Sequence, residues 1–326
     1  MRCRSKNKSM RVILRFTVGL MMGLFVLGIS NAQTVEGSHS YKGRSHKANP
    51  LICGATITTH TVLHNDLDCS GHSGSAALTL EEGASLNLHG KKIIGNYDIS
   101  CIEIRGDGAK VWNGTLTQCD TGIRIRTSRN EIIHVKVIDS AGRGIRIQGD
   151  ENLLMTCSVA NSGRQGIQID EGNSNKIYRS IVDNSGRHGI QINKGSGNEI
   201  SRSTVRGSCR DGIEIDEGNN NLVFHNQVED NGNPETCTEF DEDYNPSAYA
   251  GIDVTNGSQE NEIKYNRAGC NLGCVATDDD ECVARERDLW DENVDEYTGQ
   301  SVSTNRWKSN SIACNNAVPE YSPSPP

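Results

Sequence analysis

The stretch GRQGIQIDEGNSNKIYRSIVDNSGRHGIQINKGSGNEISRSTVRGSCRDGIEI, Gly163 to Ile215, repeats itself: GIQI at Gly166 returns at Gly189 and again as GIEI at Gly212. Working outward, GIRI begins at Gly122 and Gly144, and GIDV at Gly251. The first five starts are 22, 22, 23 and 23 residues apart. Leu78-Thr79-Leu80 and Ile102-Glu103-Ile104 fill the same slot earlier in the chain. A second signature runs in phase with the first. Asn130, Asn152, Asn175, Asn198, Asn221, Asn261 and Asn305 each have an apolar residue two positions on (Ile132 through Trp307) and another seven on (Val137 through Ile312).

Alternating aliphatic and polar residues separated by Gly, Asn and Ser follow strand period and turn chemistry, not helix period. A unit of 22 residues cannot bury its own apolar face, whereas stacked units can, each strand pairing in parallel with its copy roughly 4.8 Å away. The recurring Asn fits a side-chain ladder inside a turn. The expected fold is therefore all-β: a single-stranded right-handed parallel β-helix of about 8–10 coils, each of 22–23 residues. Its core would be columns of Ile, Val and Leu, which accounts for only 5% aromatic residues and four phenylalanines in 326 residues.

The domain plan follows from composition. Residues 1–32 read as a signal peptide: a basic start, an apolar run from Phe16 to Ile29, and small residues at Ser30 and Ala32. No other apolar stretch is present, so stable membrane insertion is not expected. Residues 33–51 read as a flexible polar linker, 52–316 as the β-helix, and 317–326 as a Pro-rich tail. Insertions are expected near 233–250, where the repeat spacing rises to 39, and near 271–300.

The net charge of −9 conceals an asymmetry. Without the leader the chain has 27 Lys/Arg and 42 Asp/Glu, net −15. Residues 33–215 carry 21 bases and 19 acids, whereas residues 216–300 carry 4 and 22. That balance argues against nucleic acid as a partner. Twelve cysteines suit an oxidising compartment, so the protein is expected to be secreted or periplasmic. Cys53 and Cys69 read as a disulfide stapling the first coil, and Cys270, Cys274 and Cys282 as disulfide partners in preference to zinc ligands. The odd cysteine left after cleavage would be free, buried or intermolecular. Asn113 and Asn256 head glycosylation sequons.

The GIxI and N-x-I-x4-V repeats over about residues 52–316 resemble the pectate-lyase-like, right-handed parallel β-helix superfamily (the pectin-lyase fold), which includes secreted carbohydrate-active enzymes and NosD-like periplasmic proteins. The resemblance implies the fold and, as an expectation, a polysaccharide partner. The catalytic motifs of mannuronan C5-epimerases, polygalacturonases and pectate lyases are absent, so no catalytic residue is carried over.

Candidate residues come from the columns that the repeat generates. The two x positions of GIxIx give Arg124, Arg146, Gln168, Gln191, Glu214 and Asp253, and beside them Arg126, Gln148, Asp170, Asn193, Asp216 and Thr255. These positions are expected to face outward. Just before the glycines stand Arg164, Arg187 and Arg210, followed by Gln165, His188 and Asp211. Arginines and amides in rows suit an acidic, pectin- or alginate-like polysaccharide, with Arg124, Arg126, Arg146, Arg164, Arg187 and Arg210 as binding residues. Catalytic candidates are His188 as base with Asp211 orienting it, and Glu214, Asp216 and Asp253 as acid/base carboxylates. Asp216, Glu217 and Asp253 form a candidate Ca²⁺ site. The competing reading is a non-catalytic structural, adhesive or NosD-like accessory solenoid.

Overall fold

The computed structural model describes residues 51–233, 236–237, 249–269, 271–276, 282–286, 289–291, 293 and 303–312. The leader, the start of the chain up to residue 50 and the Pro-rich tail lie outside them, as do Cys270 and the side chains of Cys274 and Cys282. Among the described residues no helix is long and apolar enough to cross a membrane.

The chain from Ala55 onward winds as a parallel β-solenoid. One sheet collects a strand from each coil: Ala55–Ile57, Ala76–Leu80, Ser100–Ile104, Ile123–Ile125, Ile145–Ile147, Ile167–Asp170, Ile190–Asn193, Ile213–Asp216, Ile252–Thr255 and Leu289–Asp291. Register is kept residue for residue: Ile145 pairs Ile167, Ile167 pairs Ile190, Ile190 pairs Ile213 and Ile213 pairs Ile252. The other sides of each coil stack likewise, as in Lys176–Tyr178 on Glu199–Ser201 and Ile181–Ser185 on Thr204–Arg206.

Stacking turns the aliphatic positions into internal columns. Ile123, Ile145, Ile167, Ile190, Ile213 and Ile252 are fully buried, as are Ile132, Leu154, Ile177, Ile200, Val223 and Ile263. The Gly of GIxI is required by a close approach. A Cβ at Gly166 would lie 2.3 Å from Val182 Cγ1 and 2.7 Å from the Gly189 carbonyl, so the Val column occupies the space that any side chain would need.

The Asn column forms the expected ladder. Asn130 Nδ2 donates to Asn152 Oδ1 at 2.9 Å, Asn152 to Asn175 at 3.0 Å, and Asn175 to Asn198 at 3.1 Å. Each carboxamide oxygen also accepts the backbone N–H of the Asn one coil below, for example Asn175 N to Asn198 Oδ1 at 2.8 Å. Backbone groups that a tight corner would orphan are satisfied in this way. A further ladder, Asn226–Asn266–Asn310, takes over a column in which Ser180 and Ser203 stand in the preceding coils.

Among the described residues three disulfides are present: Cys53–Cys69 as expected, Cys101–Cys119 and Cys209–Cys237. Cys157 is a free, buried thiol. Within the stretch expected to be an insertion, Leu289–Asp291 instead continues the sheet by pairing Ile252–Val254, and Leu272–Ala276 forms an antiparallel hairpin with Cys282–Glu286.

Candidate functional site

The sheet of GIxI strands presents the candidate columns on its outer side, but several of their members are not solvated. Gln168, Gln191 and Asp253 are buried although they point away from the aliphatic core. The expectation of an open, outward-facing column therefore fails there: Arg143 and Gln165, each preceding a Gly, donate to Gln168 and Gln191 respectively. Gln165 Nε2 reaches Gln191 Oε1 at 2.8 Å, and Gln168 Nε2 reaches the same oxygen at 2.9 Å. Gln191 Nε2 in turn donates to Glu214 Oε2 at 2.6 Å. An amide relay thus runs up the column into a carboxylate.

At the top of that relay lies a three-residue cluster. His188, just before Gly189, sets Nδ1 3.0 Å from Asp211 Oδ2 and Nε2 3.5 Å from Glu214 Oε2. Asp211 and Glu214 flank Gly212 in the next coil, so the one-coil offset of identical positions brings these groups together. The Asp211 carboxylate also accepts the backbone N–H of Ala250. His188 and Asp211 side chains are 5% and 3% exposed, whereas Glu214 is 13% exposed and is the member nearest solvent.

The electrostatics follow from this geometry. Burial pushes the Glu214 carboxyl up to about 7, with Asp211 and Asp216 pushing the same way and His188 and the Gln191 hydrogen bond opposing. Burial alone would depress His188, but the Glu214 charge and the Asp211 contact outweigh it, so the imidazole holds its proton above the usual histidine range. Among the described residues, His188, Asp211 and Glu214 are the set whose donor atoms, all within 4.8 Å of one another, could share a metal ion. Both imidazole nitrogens already face carboxylates, and that arrangement suits an imidazolium better than a metal-ligating neutral ring.

The other candidates are dispersed. Asp216 accepts from Asn256 Nδ2 at 2.6 Å, while Glu217 reaches Lys194 at 3.6 Å. Asp253 pairs in register with Glu214, two positions away from the Asp216 column. None of the three belongs to the described set whose donor atoms lie close enough to share a metal ion. Asn113 and Asn256, the sequon residues, are both exposed.

The arginines are largely paired by the protein itself. Arg126 and Arg105 both bond the buried Glu103, Arg124 lies 3.7 Å from Asp120, and Arg146 engages Asp170. Arg210 lies over the Tyr249 ring at 5.7 Å. Arg164 and Arg187 line a cavity of about 550 Å3 together with Arg143 and Asp120. Burial and the neighbouring Arg146 and Arg164 push the Arg143 guanidinium down to about 10. Arg187 adjoins His188 in sequence, although none of His188, Asp211 and Glu214 lines this cavity.

Residues 100–268 match the family model described as right handed beta helix region, just over half of the chain. The chain belongs to the right-handed β-helix family. A search of curated proteins found no significant sequence match. Among solved structures, the periplasmic alginate epimerase AlgG, in a mutant form, superposes with a TM-score of 0.57 at 15% identity, over 80% of this chain and 71% of AlgG. Tailspike protein 2 of an Escherichia coli O157:H7 bacteriophage superposes with a TM-score of 0.54 at 13% identity, over 79% of this chain and 38% of the tailspike. At these identities the likeness is one of fold.

Within this β-helix, two site residues escaped the sequence reading. Arg143 precedes Gly144 as Gln165, His188 and Asp211 precede their own glycines, so the signal for it was present in the repeat. Glu103 sits one coil below Arg124 in the same column, and its register was equally available.

Proposed function

We propose that this β-helix binds an acidic polysaccharide along the sheet of GIxI strands and processes it by proton transfer at Glu214. The observation that carries the reading is the buried His188–Asp211–Glu214 cluster, in which Glu214 alone approaches solvent and titrates near neutral pH. A carboxyl with such a pKa suits an acid/base that must gain and lose a proton in one cycle. His188, oriented by Asp211, is the charge partner behind Glu214 rather than the group that meets substrate.

A uronate in the polymer would place its carboxylate against the arginine cavity, where Arg187 is next in sequence to His188. Glu214 would then take the proton α to that carboxylate, and the arginine would stabilise the charge that develops. Elimination of the 4-linked sugar gives a lyase; return of a proton to the opposite face gives an epimerase. Hydrolysis is less well supported, because Glu214 is tied to an imidazole rather than facing a second carboxylate across a substrate gap. The fold likeness to an alginate epimerase is in keeping with this reading. The three disulfides fit an exported protein.

The test is incubation of the purified protein with polygalacturonate, alginate and neutral glucans. New ultraviolet absorbance from an unsaturated uronate marks a lyase, and inversion at C5 seen by NMR marks an epimerase. Retention without turnover would favour the accessory, non-catalytic reading, which the low exposure of His188 and Asp211 also accommodates. Absence of binding to any acidic polymer would overturn the proposal.

A further inference from the structure

A second cavity adjoins the arginine-lined one. It measures about 560 Å3, and both cavities include Ala141 and Gly163 in their walls. Each falls within the range typical of small-molecule sites, roughly 300–1,000 Å3. Their chemistry differs. The first sets Arg143, Arg164 and Arg187 around Asp120. The second has no Lys or Arg in its wall: Asn161, Asn184 and Asn233 supply amides, Ser140 and Thr236 hydroxyls, Tyr97 an aromatic ring, and Asp139 a carboxylate that accepts from Asn161 Nδ2 at 2.9 Å.

Tyr97 is 46% exposed in a protein whose aromatic residues make up 5% of the chain. Its backbone is held at φ 70°, with its N–H donating to the Gln118 carbonyl at 2.7 Å, so the ring is carried by a fixed turn. Thr236 and Asn233 are held by the Cys209–Cys237 disulfide and by Thr236 Oγ1 donating to the Asn233 carbonyl at 2.8 Å. The start of the loop inserted after Asn231 is thereby fixed as one wall of this cavity.

Amides, hydroxyls and the Asp139 carboxylate around a solvent-facing phenol ring match the hydroxyls of a neutral sugar, and the carboxylate disfavours a uronate there. Hydroxyl groups meet the polar rim while the apolar C–H face packs on the ring. Guanidinium groups match the carboxylate of an acidic sugar. We infer that the two joined cavities recognise an acidic heteroglycan, in which a neutral sugar adjoins a uronic acid, rather than a polymer of uronic acid alone. The uronate occupies the arginine cavity and the neutral unit the cavity beside Tyr97. The inference rests on the acidic-polysaccharide reading above and narrows its substrate class.

The test is calorimetric titration of the full protein with three probes: a tetrasaccharide of alternating glucuronic acid and N-acetylglucosamine, tetragalacturonate and cellotetraose. The mixed tetrasaccharide is expected to bind about 10-fold more tightly than tetragalacturonate, and cellotetraose least. Tyr97→Ala should abolish that preference while leaving tetragalacturonate affinity and the melting temperature unchanged. Arg164→Ala should weaken both acidic probes. Equal affinity for the two acidic probes, or Tyr97→Ala weakening both alike, overturns the heteroglycan inference and leaves the acidic-polysaccharide reading standing. Failure of both acidic probes to bind, with alginate and polygalacturonate also unbound, overturns both.

Discussion

His188 Nδ1 and Asp211 Oδ2 stand 3.0 Å apart because two coils place equivalent positions, each the residue before its Gly, one above the other. The imidazole is thereby pinned with its other nitrogen toward Glu214. Replacing Glu214 with Gln keeps the shape and removes the proton site. Turnover of the polymer should fall by about 10²–10⁴-fold, the usual contribution of a general acid/base, while affinity changes little. Steady-state kinetics beside calorimetry checks this, and an active Glu214→Gln protein would remove Glu214 from the mechanism.

The same cluster sets a pH dependence of stability. Glu214 holds its proton up to about pH 7 when folded, against an ordinary carboxyl value near 4.5, and His188 likewise binds its proton more tightly when folded. The native state therefore binds more protons than the unfolded one in this range, and stability falls as pH rises. The Glu214 part is lost between its unfolded and folded values, and the His188 part as pH climbs through its raised value. Melting temperature should decline from about pH 5 to about pH 8, and Glu214→Gln should flatten the slope throughout, since it removes both the Glu214 proton and the charge that raises His188. A profile that rises across that window would contradict the assignment.

Asn175 occupies the middle of the carboxamide ladder, accepting from both Asn152 N and Asn152 Nδ2 while donating to Asn198. Asn175→Ala leaves buried donors of Asn152 without an acceptor, at a cost of about 1–3 kcal/mol per orphaned group. Urea unfolding should show the lower midpoint. Asn175→Asp keeps the acceptor but loses the donor to Asn198, and should be the milder of the two only at a pH low enough to protonate it.

Gly166→Ala tests the close approach of the GIxI strand to the Val column. A Cβ there meets Val182 Cγ1 at 2.3 Å, and the core must shift to admit it. Overpacking of this kind costs about 1–3 kcal/mol. The double variant Gly166→Ala, Val182→Ala should recover part of the loss, as thermal unfolding of the four proteins would reveal.

The fold was legible because each coil repeats its periodicity: GIxI and the ladder Asn mark strands, corners and register in the sequence itself. The columns were legible for the same reason, and the adjacency of His188 and Asp211 followed from a one-coil offset. Burial was not. Gln168, Gln191 and Asp253 occupy positions that alternation assigns to solvent yet are buried, and the side chains that bond the two glutamines, Arg143 and Gln165, come from outside their column. Nor did the pairing of arginines show itself. Arg126 meets Glu103 and Arg146 meets Asp170 diagonally, between different columns of adjacent coils, and a column read singly does not contain its diagonal. The hairpin pairing Leu272 with Glu286 breaks the period altogether, which is why that region read only as an interruption.

The carboxamide ladder has a consequence for how this chain can vary. Asn198 joins Asn221 across 23 residues, yet Asn221 N reaches Asn261 Oδ1 at the same 2.8 Å across 40, and Asn261 N reaches Asn305 Oδ1 at 2.9 Å across 44. The ladder is indifferent to how many residues a coil spends outside it. Loops at these corners can be lengthened, shortened or exchanged while the rungs above and below remain matched. Recognition can therefore diverge coil by coil on an unchanged frame, and a chimaera grafting a relative's loop between Asn231 and Tyr249 is a practical route to a new specificity.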